Sequence, residues 1–315
     1  MAADPGRRVR VAVIGIGHLG RHHARLLAEI PAADLVAVVD TVPDRAAAAA
    51  AATGARAASD YREIIDQVDA VTIAVPTERH REIAMPFLER GIPALVEKPL
   101  ARALAEADDL IAAAAQSGAI LAVGHTERYN PAVAAVLPLV TSPRFIEVHR
   151  LGAFPDRSLD IDVVFDLMIH DLDIILALVR SDVTAIEAVG VPVLTPRFDI
   201  ANARLRFASG CIANVTASRI SRERVRKIRF FQPDAYLSID YVAQEVEGWR
   251  LVRHDGGRPA IEGGPLPVVH EEPLKRELQD FVTAVRDRRP PLVTGEDGRR
   301  ALALAQGIAE KMESV

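Results

Sequence analysis

The run Gly15-Ile16-Gly17-His18-Leu19-Gly20 constrains the fold more than any other part of the chain. It follows directly on a short apolar run, Val9–Ile14, and opens a stretch with helical spacing, His18–Ile30. G-x-G-x-x-G between a strand and a helix is the phosphate-binding turn of a dinucleotide-binding unit. The first glycine permits the tight turn, the second lets a pyrophosphate approach the backbone, and the third lets helix and strand pack closely. The free N–H groups and dipole at the helix start favour an anion. An acid is then expected about 20 residues on, to accept hydrogen bonds from the adenosine ribose. Asp40 stands there, closing a second apolar run, Leu35–Val39. Its charge would repel a 2′-phosphate and no arginine follows it directly, so NAD is expected over NADP.

Three further apolar runs, Ala70–Val75, Ala94–Val96 and Ile120–Val123, alternate with the helical stretches Asp44–Thr53, Arg79–Arg90 and Ala101–Ser117. Runs without strict polar alternation suit parallel strands buried on both faces. Residues 1–125 are therefore predicted to form an α/β Rossmann domain, a doubly wound parallel sheet. Beyond residue 125 one long helix is predicted at Asp160–Arg180. Strand-like runs follow at Ile186–Val193, Ala203–Ala208, Cys211–Ala217, Val225–Phe231 and Tyr236–Val242, with a turn at Ala208-Ser209-Gly210. Two helices, Leu274–Asp287 and Glu296–Met312, close the chain. Residues 126–315 thus read as an α+β domain with an open antiparallel sheet, whose final helices have the option of packing back on the first domain. A length of 315 residues suits two domains.

The net charge of −5 offers no basic field for nucleic acid or an anionic membrane surface. No apolar run approaches the roughly 18 residues of a membrane helix. The N-terminal apolar run is short and ends in Gly-His, unlike a signal peptide. The one cysteine, Cys211, excludes an intrachain disulfide or a multi-cysteine metal site and suits a reducing compartment. A cytoplasmic protein is expected.

Of 38 basic residues only four are lysines, Lys98, Lys227, Lys275 and Lys311. Lys98 lies in Glu97-Lys98-Pro99, just after the fourth strand and so on the same rim as the glycine turn. A lysine there could hold a substrate hydroxyl and stabilise the alkoxide that forms as hydride leaves; an ordinary surface lysine is the competing reading. On the helix Asp160–Arg180, the side chains of Asp162, Asp166, His170 and Asp173 fall within roughly 80° of one another. Apolar residues cover most of the remaining surface. Asp166 and His170 at i, i+4 could form a carboxylate-tuned imidazole suited to proton transfer, and the same stripe also suits structural, satisfied polar groups. His18 and His22 have a metal-binding spacing, but the helix start is already assigned to a pyrophosphate, and no metal is expected. The run Arg219, Arg222, Arg224, Arg226, Lys227 and Arg229 offers either a diphosphate grip or a solvated strand face.

The glycine turn with His23, Asp40, Glu97-Lys98-Pro99 and Asp166-x-x-x-His170 resembles the Gfo/Idh/MocA family of sugar and cyclitol oxidoreductases, over essentially the whole chain. The resemblance implies NAD held by Gly15, Gly17, His18, Leu19, Gly20, Asp40, Val75, Pro76, Thr77, His80 and Glu97. It implies a catalytic set of Lys98, Asp166 and His170, and a C-terminal sheet that joins a homodimer or homotetramer. Met168 departs from the glycine common there. Gly124-His125-Thr126-Glu127-Arg128-Tyr129-Asn130-Pro131, the segment Arg150–Arg157 and the segment Ala217–Tyr241 are similar to the UDP-N-acetylglucosamine 3-dehydrogenases within that family. This likeness implies a nucleotide-sugar substrate touched by Lys98, Arg128, Tyr129, Asn130, Arg157 and His170. The reaction it implies oxidises the C3 hydroxyl to a ketone, ahead of amination toward 3-amino sugars of the lipid A type. A dehydrogenase of a free sugar or inositol, and an NAD-binding redox sensor on the same fold, are the alternatives.

Overall fold

The computed structural model describes residues 7–154, 161–253 and 258–313. Two compact units result. One holds the chain up to Thr126 together with Glu272–Leu302; the other holds Glu127–Glu271 and the chain from Ala303 onward.

In the first unit β1 (Val9–Ile14), α1 (Gly20–Glu29), β2 (Ala33–Val39), α2 (Pro43–Thr53), β3 (Arg56–Ala58), β4 (Ala70–Ile73), α3 (His80–Leu88), β5 (Ala94–Glu97), α4 (Leu104–Ser117) and β6 (Leu121–Gly124) follow one another. All strand pairings are parallel, in the order β3-β2-β1-β4-β5-β6. This is the doubly wound order, with its reversal between β1 and β4, where a crevice opens at the strands' carboxyl ends. Val11, Val13, Val71, Ile73, Leu95 and Val96 are buried, which is why their strands show no polar alternation. The helix expected from His18 begins only at Gly20, because Gly17–Leu19 form a turn. The short β3 escaped the sequence reading: three residues with an exposed arginine carry no apolar run.

The second unit begins with α5 (Pro131–Val136), β7 (Phe145–Leu151), α6 (Ile169–Val179) and β8 (Val183–Val191). It continues with β9 (Ile200–Phe207), β10 (Ile212–Ser218), β11 (Val225–Phe231), β12 (Ala235–Asp240), β13 (Glu245–Val252) and β14 (Ala260–Leu266). The eight strands form one sheet in the order β14-β13-β12-β11-β7-β10-β9-β8. Every pairing is antiparallel except β7 with β10, a parallel pair at the sheet's centre. One face is apolar and buried, with Ile146, Val148, Ala213, Val215, Ile228, Phe230, Leu237 and Ile239. The other face carries Glu147, His149, Asn214, Thr216 and Arg229, all half-buried. This alternation is what a sheet with one covered face requires.

The helix predicted from Asp160 is corrected. Asp160 lies outside the described residues, Val164–Met168 form a π turn, and regular α-helix starts at Ile169. Asp162 precedes both: its side chain accepts the Phe198 N–H at 2.9 Å. Two helices complete the chain, α7 (Pro273–Asp287) and α8 (Gly295–Glu313). Leu278, Phe281 and Val282 of α7 enter the core of the first unit beside Val11, Val13, Leu26 and Leu27. No helix among the described residues is long and apolar enough to cross a membrane.

Candidate active site

The glycine turn lies at the carboxyl end of β1, beside the sheet's reversal point. Gly15 has φ of +90°, and a Cβ there would meet Ala74 O at 2.6 Å, so both backbone conformation and space demand glycine. A Cβ on Gly20 would fall 1.7 Å from Gly15 O, the close helix–strand approach expected of the third glycine. Nothing stands within 4 Å of a Cβ on Gly17, so the middle of the turn is open to a ligand. His18 and Leu19 are exposed beside it, and no side chain caps α1; the Arg21, His22 and His23 N–H groups bond back to Gly17 O and Leu19 O. Asp40 is buried at the end of β2. Its Oδ2 accepts the Ile16 N–H at 2.7 Å and its Oδ1 the Val42 N–H at 2.8 Å. Asp40 therefore ties the glycine turn to the β2 loop, and a carboxylate with about four acceptor positions keeps capacity for ribose hydroxyls.

The loops after β4 and β5 share that rim. Pro76 is exposed and Val75 and Thr77 are half-buried. Lys98 follows β5 and is half-buried, whereas its neighbours in the motif turn inward. Glu97 is 5% exposed, and His23 Nε2 lies 3.0 Å from its Oε1. Its other oxygen accepts the Lys98 N–H at 3.3 Å. Glu97, expected to touch the cofactor, is thus buried and bonded to His23 and to the Lys98 N–H. Burial pushes its carboxyl up, but the His23 hydrogen bond, with the charges of His23, Lys98 and His80, outweighs burial and leaves it below the usual carboxylate range. Glu277 of α7 completes a buried trio in which ligating atoms of His23, Glu97 and Glu277 all lie within 4.8 Å of one another. Such a trio could hold a cation by distance; the contact it makes is an imidazole–carboxylate hydrogen bond. The sequence reading missed Glu277, whose glutamate on an amphipathic helix looks like any solvated residue. His80, also expected at the cofactor, is 1% exposed, and its ring nitrogens face backbone carbonyls.

In the second unit the expected polar stripe divides. Asp166, in the π turn, and His170, one residue into α6, are half-buried. Asp171 and Asp173 are fully buried and bind arginines. The Arg150 Nε and second terminal nitrogen donate to Asp171 at 2.6 and 3.0 Å, and its other terminal nitrogen donates to Glu127 at 3.0 Å. Burial opposes the Arg150 charge, but Asp171 and Glu127 more than offset it and keep the guanidinium protonated. Arg128 donates to both Asp173 oxygens at 2.9 and 2.7 Å. Tyr129 is buried, and Asn130 caps α5 by accepting the Ala132 N–H at 3.0 Å while donating to Tyr241 O. Arg128, Tyr129 and Asn130, expected at the substrate, are all buried. Arg157 lies outside the described residues.

The arginine run is also redistributed. Arg219 is 1% exposed and binds Asp199, Thr195 and Ile161 O. Arg222 and Arg224 are exposed in the turn before β11, so they share no strand face with the half-buried Arg226. Arg229 pairs with Glu147 and Lys227 with Asp240.

Known proteins match this arrangement along its whole length. Residues 9–125 match the oxidoreductase family with an NAD-binding Rossmann fold, and residues 143–234 match the GFO/IDH/MocA C-terminal domain. A UDP-N-acetylglucosamine 3-dehydrogenase from Acidithiobacillus ferrooxidans is 37% identical over 97% of this chain and 98% of its own. The chain belongs to the GFO/IDH/MocA family. A solved structure of the Acidithiobacillus enzyme superposes with a TM-score of 0.91, covering 98% of each chain. The scyllo-inositol 2-dehydrogenase (NAD(+)) of Bacillus subtilis is 31% identical over 96% of this chain and 93% of its own. Levoglucosan dehydrogenase in complex with NADH and levoglucosan, 21% identical, shares the fold with a TM-score of 0.87 over 98% of each chain.

As a GFO/IDH/MocA protein the chain is an NAD-dependent oxidoreductase. Its residues fit that cofactor. The open space at Gly17, the close approach at Gly20 and the acid Asp40 at the end of β2 are features a dinucleotide needs.

Proposed function

We propose that this enzyme oxidises the C3 hydroxyl of UDP-N-acetylglucosamine to a ketone. The observation that carries the reading is the 37% identity with the Acidithiobacillus enzyme across nearly the full length of both chains. The family residues at Lys98, Asp166 and His170 support it.

Gly15–Gly20 would hold the pyrophosphate and Asp40 the adenosine ribose, and NAD+, when bound, supplies the hydride acceptor. Lys98 holds the reacting hydroxyl through its ammonium and stabilises negative charge as it develops on that oxygen. His170 receives the hydroxyl proton, and Asp166 orients the imidazole or holds a neighbouring hydroxyl. Arg128, Arg150 and Arg219 are committed to buried carboxylates. Arg222 and Arg224, with exposed guanidinium groups, are therefore better placed to meet a sugar-nucleotide diphosphate. The half-exposed sheet face of the second unit is where a second copy of the chain docks in this reading. Phe145, Phe231, Tyr236 and Trp249 run side by side across four strands of it.

The test is NADH formation with UDP-N-acetylglucosamine, glucose and myo-inositol in parallel. Turnover with the nucleotide sugar alone supports the reading, and turnover with inositol alone overturns it.

A further inference from the structure

His80 begins α3 and is buried, yet each of its ring nitrogens faces backbone carbonyl oxygen. Nε2 lies 2.9 Å from Val75 O, and Nδ1 lies 3.0 Å from Pro99 O and 3.3 Å from Leu100 O. A carbonyl only accepts, so each contact is a hydrogen bond only when the nitrogen facing it carries a proton. The two sides are different loops. Val75 leads the loop after β4, beside the sheet's reversal point, and Pro99 and Leu100 follow Lys98 after β5. One buried ring thus spans the two rim loops.

We propose that His80 is a positioning residue that sets the two loops independently, through Nε2 for the cofactor-flanking loop and through Nδ1 for the Lys98 loop. The proposal rests on the reading of Lys98 as the residue that holds the reacting hydroxyl. Burial presses the imidazole toward its neutral form, against the carbonyls and the Glu97 charge. The two ring nitrogens face different loops, so the two contacts can be separated by substitution.

The amide nitrogen of asparagine reaches the position of Nδ1, and that of glutamine the position of Nε2. His80→Asn should keep the Lys98 loop and release the Val75 loop, and His80→Gln should do the reverse. Two readouts need no turnover: the NADH dissociation constant by fluorescence titration, and the rate at which an amine-reactive reagent labels Lys98, read by mass spectrometry. Four lysines in the chain make the label easy to assign. In His80→Asn the NADH dissociation constant should rise about tenfold, the size of one buried hydrogen bond, with Lys98 labelling within about twofold of wild type. In His80→Gln labelling should change about tenfold and NADH binding should hold within about twofold. His80→Leu, if it folds, should show both changes; the Asn and Gln pair decides without it. Where the wild type turns over a sugar, kcat should follow the labelling rate and the NAD+ KM the NADH binding. Equal effects in the Asn and Gln variants, or a lowered melting temperature with both readouts unchanged, would overturn the proposal. Absence of turnover with every sugar would overturn the proposed reaction and leave these two readouts to decide the role of His80.

Discussion

The proposed reaction rests on one lysine, Lys98, in a chain that otherwise uses mostly arginine. An ammonium is a compact point charge, while a guanidinium is a wide planar fork that demands a planar partner. Lys98→Met should lower kcat by about two to three orders of magnitude, the cost of removing one charged donor from a developing oxyanion. Fluorescence titration should find NADH binding within about twofold of wild type, and Lys98→Arg should not restore turnover. Asp40 has two jobs, one seen in the Ile16 and Val42 hydrogen bonds and one expected at the ribose. Asp40→Ala should therefore raise the NAD+ KM and narrow the preference for NAD+ over NADP+ in steady-state kinetics. An unchanged preference would remove Asp40 from the cofactor site. Asp40 was legible because the glycine turn fixes where an acid must stand. That Glu97 and His80 are buried was not legible, because a motif shows proximity to the rim but not which way a side chain turns.

At the scale of elements, five of the six strands of the parallel sheet were legible, since buried-on-both-faces strands are unbroken apolar runs between helices; the short, partly exposed β3 was not. The second sheet was only partly so. β7 was missed because Arg150 occupies a buried-face position, where the alternation would call for an apolar residue. β14 was missed because Gly263, Gly264 and Pro265 look like a turn, and such residues are tolerated at a sheet edge. The long helix was misjudged because a π turn adds a residue that a 100° period cannot register. The same arginine that hid β7 anchors α6. Asp171→Ala leaves the Arg150 charge buried without its principal partner and should cost about 3–5 kcal/mol in urea unfolding. A cost under about 1 kcal/mol would mean that water reaches the pair. Asp199 holds the segment before β9 by accepting N–H groups of Val193, Leu194 and Thr195. Burial raises its carboxyl, but these donors and Arg219 outweigh burial and hold it below the usual range. Its stabilising contribution is complete above the unfolded carboxyl pKa of about 4 and is lost as pH falls toward the depressed folded value. Asp199→Asn should accordingly be less stable at pH 7, with a shallower loss of melting temperature on acidification.

At the scale of the whole molecule, the first unit holds the glycine turn, Asp40 and Lys98, and the second holds Asp166 and His170. The half-exposed face of the second sheet predicts self-association, and light scattering on the eluting protein should report a dimer or tetramer. Trp249→Glu, which places charge in the aromatic row, should shift it toward monomer. The central claim is the reaction itself. Purified enzyme incubated with NAD+ and UDP-N-acetylglucosamine, followed by borodeuteride reduction and NMR of the sugar, locates the oxidised carbon directly. Deuterium at C3, in step with NADH formed, is the predicted result; deuterium at another carbon, or no NADH while inositol is oxidised, would contradict it.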